Sequence, residues 1–373
     1  MEKEKNIDQE KIKKVEESLE FLKNKKCKFL FCLPEISTPS ALIYEIYFHA
    51  NVVEKMGYEV IMLTDKDDFN PPDYIEDDLI NKKHMSMGGS KLTVGPNDFM
   101  IIPEIFSNVM EQTKNLPCKR IVLFQSFDYM LNALIPGTSW RDFNIVDVIT
   151  TSKMLEETLN LFYTNDFYKI KTYNLGIPDY FEKSKLPKKP VISIVGRNPN
   201  DITKLVKLFY IKYPQYRWIS FDAMLTNSKP PLPLRRVDFA NRLKENFAAV
   251  WVDRISSFGT FPLECMMSGV IPICLKPDIT PEYIIDRSSK KEVKIKDNSG
   301  MWTKDFYDLP FLIGDVVTKF LDDSIPEDLY KGMNKICSQH THKKSEKELI
   351  KIYEEYINER IELFENAINI NKE

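Results

Sequence analysis

The sequence is short of several things, and each shortage excludes something. It lacks an excess of either charge: 52 Lys and Arg face 55 Asp and Glu, a formal net of -3. No global field is available to hold a polyanion, so most of these charges read as a mixed, solvated surface. Its six cysteines, at 27, 32, 118, 265, 274 and 337, include no C-x-x-C pair, and of the four histidines only His340 and His342 follow one of them, Cys337, with no second cysteine beside them. That excludes the usual zinc spacings. Cys27, Cys32, Cys265 and Cys274 lie in apolar runs, where cysteine is a small hydrophobe, so the cysteines are expected to be reduced, in a cytoplasmic protein. No window approaches the ~20 apolar residues of a membrane span, and the charged first segment has no signal-peptide core, so no integral membrane contact is expected. No internal repeat of solenoid period is present.

What is there alternates between strand and helix. Residues 8–24 carry Ile12, Val15, Leu19 and Leu22 at helical spacing. KFLFCL (28–33) then reads as a buried parallel strand, 41–56 as a helix stopped by Gly57, and YEVIMLT (58–64) as the next strand. Strands follow at 98–102, 120–124, 147–151, with Ser152 as a helix cap, and 171–175. A proline-rich stretch, 178–190, has a linker's composition. The alternation restarts with strands at 190–195, 217–221, 248–252 and 271–275, separated by helices at 202–213, 237–245 and 263–268. The expected architecture is α/β: a helical extension (1–26), two doubly wound domains (27–180 and 190–340), and a C-terminal helix (345–373) packing across them. In that helix Leu349, Tyr353, Tyr356, Ile357, Ile361 and Phe364 share one stripe.

The richest stretch for chemistry runs from Val250 to Pro277. A strand ends in a polar loop with Gly259, and a helix starts near Phe261 and Pro262, where proline suits the first turn. The N–H groups of such a turn, at the carboxyl edge of a parallel sheet, form an anion site. Glu264, one turn in, either accepts hydrogen bonds from ribose hydroxyls or only complements the helix dipole.

This stretch, SSFGTFPLECMMSGVIPI, resembles the donor-binding motif of GT-B nucleotide-sugar glycosyltransferases, EGFGLPxLEAMACGxPVI. Phe258, Gly259, Leu263, Glu264, Met266 and Gly269 match, with Pro262 and Pro272 close to the family's prolines. The resemblance makes Glu264 the ribose ligand. Ser256 replaces the family's first glutamate, which contacts the transferred sugar, so donor sugar and stereochemical outcome stay open. VISIVGRNPNDITK is similar to the family's GR…K element. There Arg197, after Gly196, and Lys204, two residues later than usual, would neutralise the leaving diphosphate; the competing reading is ordinary surface charge. Donor contacts are thus expected at Gly196, Ser256, Gly259, Thr260, Phe261 and Glu264. YNLGIPDYF (173–181) and DVITTS (147–152) are similar to first-domain segments of the same family.

In IVLFQSFDYM, Gln125 and Ser126 stand where many relatives place a histidine. Asp128, close by, is a candidate contact to sugar or acceptor, or a loop cap; phage DNA α-glucosyltransferases have a comparable run. The first loop, PEISTPS, has hydroxyls in place of the family's glycines, and its Glu35 is a candidate general base or a plain loop residue. His49, His340 and His342 are read as structural. The resemblance implies a metal-independent transferase with no resident cofactor and a nucleotide sugar, such as a UDP-sugar, as co-substrate. Its acceptor would be an envelope saccharide or a hydroxymethylated pyrimidine in phage DNA. Basic clusters at 186–190, 233–238 and 288–296 are candidates for tracking phosphates. The other readings are a non-catalytic nucleotide-sugar-binding module and a sugar-nucleotide epimerase.

Overall fold

In the computed structural model the described residues are 2–36, 39–66, 69, 74–89, 92–163, 167–184, 187–223, 235–254, 258–286, 291–292 and 299–370. The first lobe is a seven-stranded parallel sheet. Its strands are β1 (Lys28–Cys32), β2 (Glu59–Thr64), β3 (Lys83–Ser86), β4 (Phe99–Pro103), β5 (Lys119–Phe124), β6 (Asp147–Thr150) and β7 (Lys169–Thr172). They lie in the order β3-β2-β1-β4-β5-β6-β7. β1 shows why KFLFC must be central. Phe29 and Phe31 point into one core with Ile43, Tyr47 and Tyr353, whereas Leu30 and Cys32 point into the other with Val122 and Trp140. A strand buried on both faces cannot alternate apolar with polar.

The helices between these strands follow from local signals. α2 (Ala41–Lys55) is stopped by Gly57 at φ 92°. α4 is Ser107–Gln112 and α5 is Phe127–Ala133. α6 (Lys153–Phe162) is capped as expected, Ser152 Oγ accepting from Leu155 N at 3.2 Å. α1 (Glu2–Lys23) precedes the sheet, and a single turn, α3 (Asp77–Ile80), precedes β3.

The second lobe is a five-stranded parallel sheet containing β8 (Lys189–Val195), β9 (Ser220–Ala223), β10 (Asn246–Trp251), β11 (Ile271–Leu275) and, after a two-stranded hairpin (β12, Ile285–Asp286; β13, Lys291–Glu292), β14 (Met301–Thr303). The order is β14-β11-β10-β8-β9. α7 (Pro199–Lys212) has Asn198 as its cap and proline in its first turn, α8 is Arg236–Glu245, and α9 is Thr260–Met267. Two further helices, Leu309–Leu321 and Glu327–Cys337, pack Ile313, Val317, Leu329 and Met333 onto this lobe's core. The doubly wound expectation holds for both lobes.

The differences are local. β9 begins three residues later than expected, because Pro214–Tyr216 forms a single turn and Trp218 is half exposed. β3, an edge strand with polar residues, carries no buried apolar run to announce it. The C-terminal helix, His342–Ile370, crosses between lobes at its start: His340, just before it, packs against Phe258 and Tyr283 of the second lobe, and His342 stacks on Phe48 of the first. Its apolar stripe then lies in the first-lobe core. All six cysteines are free and buried, as expected of small hydrophobes.

Candidate donor site between the lobes

Every strand in both sheets is parallel, so the loops after the strands gather on one edge of each sheet, the edge where ligands bind in such folds. Here the two edges meet. Arg197, just past β8, touches Tyr129 in α5. Glu282, past β11, accepts from Met154 N at the start of α6 at 2.7 Å. Arg236, the first residue of α8, donates its backbone N–H to Tyr74 O at 2.9 Å.

Arg197 is placed by Gly196. A Cβ on Gly196 would lie 2.8 Å from Val252 O, so only glycine lets the end of β8 pass this close to the end of β10. The half-exposed Arg197 side chain then reaches Asp253, Nε to Oδ2 at 2.9 Å. Its Nη1 donates to the Tyr129 hydroxyl, and the guanidinium sits 5.3 Å from the centre of that ring. Tyr129 was not singled out by the sequence. The run QSFDYM identified the region, but only assembly of the lobes reveals which side chain faces across.

The second part of the site is the start of α9. Gly259 precedes it at φ 73°, with Trp251 and Tyr283 each 3.0 Å from where a Cβ would be. Tyr283 Oη donates to Gly259 O at 2.9 Å and holds this turn in place. Thr260 and Phe261 open the helix, so their N–H groups belong to the turn that a helix leaves without intrahelical partners. The Phe261 ring itself packs against Phe239 in the core, leaving only its backbone for a ligand. Glu264 is buried, and its Oε1 accepts from Arg236 Nη2 at 2.6 Å. The expectation that the 233–238 cluster tracks phosphates is therefore corrected at Arg236, which is buried over the Tyr44 ring at 3.7 Å. Lys188 is likewise internal, donating to Lys244 O and Ser268 O at 2.8 and 3.0 Å, and burial lowers its pKa to about 8.

The remaining candidates scatter around this junction. Lys204, in the second turn of α7, donates to Tyr307 Oη at 2.7 Å and shares no partner with Arg197 among the described residues. Asp128 is in the first turn of α5, next to Tyr129. Glu35 lies at the carboxyl end of β1, where Oε1 accepts from Lys66 N at 2.8 Å and Oε2 lies 3.9 Å from Lys66 Nζ. Ser256, and nearly all of the 288–296 cluster, lie outside the described residues. His49 is satisfied structurally, between the hydroxyls of Tyr353 and Tyr173 at 2.7 and 2.8 Å. A carboxyl the sequence did not flag is Glu104, at the end of β4. It is fully buried, accepts from Ser126 N at 2.8 Å, and burial pushes its pKa up to about 8.

Among the described residues no group of three or more His, Cys, Asp or Glu could hold a metal ion, and no helix is long and apolar enough to cross a membrane. No family model and no curated protein matches the chain. Solved structures do resemble it. One is a sucrose-phosphate synthase from Thermosynechococcus elongatus, with TM-score 0.62 and 12% identity, covering 89% of this chain and 99% of that one. Another is the pneumococcal O-GlcNAc transferase GtfA in complex with UDP and GlcNAc, with TM-score 0.59 and 11% identity, over 90% and 99%. A third is an alpha-glucosyltransferase in complex with UDP and a 13-mer DNA containing an HMU base, with TM-score 0.53 and 11% identity, over 87% and 99%. At such identities the likeness is one of fold.

Proposed function

We propose that this chain, which has the GT-B fold, transfers a sugar from a nucleotide-sugar donor held by its second lobe to an acceptor hydroxyl presented by its first. The observation that carries the reading is the position of Arg197. It stands at the carboxyl edge of the second sheet, faces the first lobe, and lies in the same edge as the first turn of α9.

In this reading the α9 amides and Arg197 hold the diphosphate, while Glu264 accepts from ribose hydroxyls. The acceptor oxygen bonds to the anomeric carbon as the bond from that carbon to the phosphate oxygen breaks. The electron pair leaves on the diphosphate, where Arg197 offsets the growing charge. Lys204 adds to this once it swings off Tyr307, so cationic side chains act in place of a metal. The proton of the acceptor goes to a carboxylate of the first lobe. Asp128, in the first turn of α5, and Glu35, anchored to Lys66, are the two candidates. The donor is a UDP-sugar or a close relative. The acceptor is a saccharide or a hydroxymethylated pyrimidine in DNA, and transfer assays with both decide between them. Six reduced, buried cysteines fit a cytoplasmic setting.

The test is a thermal-shift panel of nucleotides and nucleotide sugars on the full chain, with Arg197→Ala and Glu264→Ala beside it. Ligand at a hundredfold excess over Kd adds about 2.7 kcal/mol of apparent stability. A shift with one nucleoside diphosphate, reduced in both variants, supports the donor site; no shift with any nucleotide sinks it. Altered sugar released without an acceptor would indicate an epimerase. Binding without any turnover would indicate a nucleotide-sugar-binding module.

A further inference from the structure

The carboxylate assigned to the donor ribose does not stand alone in the second lobe. Glu264 Oε1 is bonded to Arg236 Nη2 at 2.6 Å, and both side chains are close to nine-tenths buried, 8% and 11% exposed. Arg236 in turn belongs as much to the first lobe as to the second. Its backbone N–H donates to Tyr74 O at 2.9 Å, and its guanidinium lies 3.7 Å from the centre of the Tyr44 ring, with Phe181 at 5.6 Å. Tyr44 is held from behind in α2, where it and Phe48 stack on His342 at 5.9 and 4.4 Å, the residue at which the C-terminal helix starts. Arg236 Nη1 is buried without a hydrogen-bond partner among the described residues. The guanidinium is therefore oriented by one carboxylate and by aromatic rings, Tyr44 much the nearer, and not by a full set of hydrogen bonds.

We propose that Arg236 is a positioning residue through which Tyr44 of the first lobe sets the affinity of Glu264 for the donor nucleotide. The inference rests on the reading of Glu264 as a donor ligand and adds the device that tunes it. A desolvated guanidinium is drawn to an aromatic face and to a carboxylate at once. Remove the Tyr44 ring, and the guanidinium loses its nearer aromatic contact and turns more fully onto Glu264. The carboxylate then has less lone-pair capacity facing the ribose. The position of the first lobe is in this way felt at the nucleotide without the first lobe touching it.

Isothermal titration of the full-length protein with UDP, GDP and ADP tests this in wild type, Tyr44→Leu, Tyr44→Phe, Glu264→Ala and the Tyr44→Leu/Glu264→Ala double variant. For the nucleotide that binds, Tyr44→Leu is expected to raise Kd about tenfold, within the range of coupling energies between side chains in one contact network. Tyr44→Phe, which keeps a ring under the guanidinium, recovers most of that loss. In the Glu264→Ala background Tyr44→Leu adds less than about twofold, because the path to the nucleotide is already cut. A wild-type Kd in Tyr44→Leu, or losses that simply multiply in the double variant, overturns the inference and leaves the donor site standing. Absence of binding by the wild type overturns both. Should Tyr44→Leu not fold, Arg236→Lys replaces it: a weaker Kd that disappears as an effect in the Glu264→Ala background supports the inference, and an unchanged Kd overturns it.

Discussion

Arg197, from the second lobe, donates to the hydroxyl of Tyr129, from the first, and its other face is paired with Asp253 at 2.9 Å. The side chain proposed to offset charge on a leaving group thus also joins the two lobes. The roles separate by substitution. Arg197→Ala is expected to lower kcat/KM about a hundredfold or more, as loss of a fixed charge-stabilising group does. Tyr129→Phe removes only the cross-lobe bond and should cost less than about tenfold. Steady-state kinetics with the donor found by thermal shift check both; equal losses would mean that Arg197 acts through the lobe contact alone.

Glu264→Ala leaves Arg236 buried without its carboxylate and should destabilise the fold by about 3–5 kcal/mol, beyond any effect on ligand. Glu264→Leu combined with Arg236→Met should restore most of that stability, since a buried pair can be replaced by apolar groups of similar volume. Nucleotide binding should remain weakened in the double variant. Urea unfolding followed by titration separates the two quantities, and recovered binding would mean that the carboxylate is structural only.

Gly196→Ala places a methyl group 2.8 Å from Val252 O. Overpacking of this kind costs about 1–3 kcal/mol, and here the strand end that must shift is the one that aims Arg197. A lowered Tm together with weaker diphosphate binding is expected. A normal Tm and normal binding would show that β8 and β10 tolerate the separation.

Glu104 is kept protonated by burial, its pKa raised from 4.5 to about 8. A raised carboxyl contributes stability that is fully present below about 4.5 and is lost as pH rises through about 8. Glu104→Gln, which keeps an acceptor for Ser126 N–H and cannot ionise, should therefore gain on wild type with rising pH. The difference in Tm, variant minus wild type, should be more positive at pH 9 than at pH 5. A flat difference would mean that Glu104 is already ionised in the fold.

How far the sequence could go is visible at particular residues. The alternation of KFLFCL, YEVIMLT, PVISIV and IPICL with amphipathic stretches is a local signal, and it was sufficient for two doubly wound lobes because parallel strands buried on both faces must be apolar throughout. Ser152 before α6 and Gly57 after α2 act within one turn of themselves, so they too could be read directly. β3 could not, because an edge strand of Lys-His-Met-Ser carries almost no apolar signal.

The candidate site divides in the same way. Arg197 and Glu264 became candidates through the resemblance of VISIVGRNPNDITK and SSFGTFPLECMMSGVIPI to donor-binding elements of GT-B glycosyltransferases, each a short contiguous stretch. Tyr129, Arg236, Tyr44 and Glu104 did not. Arg236 in PLRRVD has the composition of a surface cluster, and nothing nearby in the chain says that it will be buried against a ring 192 positions away. The sequence by itself determined the elements, their parallel pairing and the two motifs at the second lobe's edge, because backbone hydrogen bonding and apolar periodicity are short-range. Only the tertiary structure decided which side chains face each other across the lobes. That depends on how two separately formed sheets dock, and so on burial and charge pairing between residues far apart in the chain.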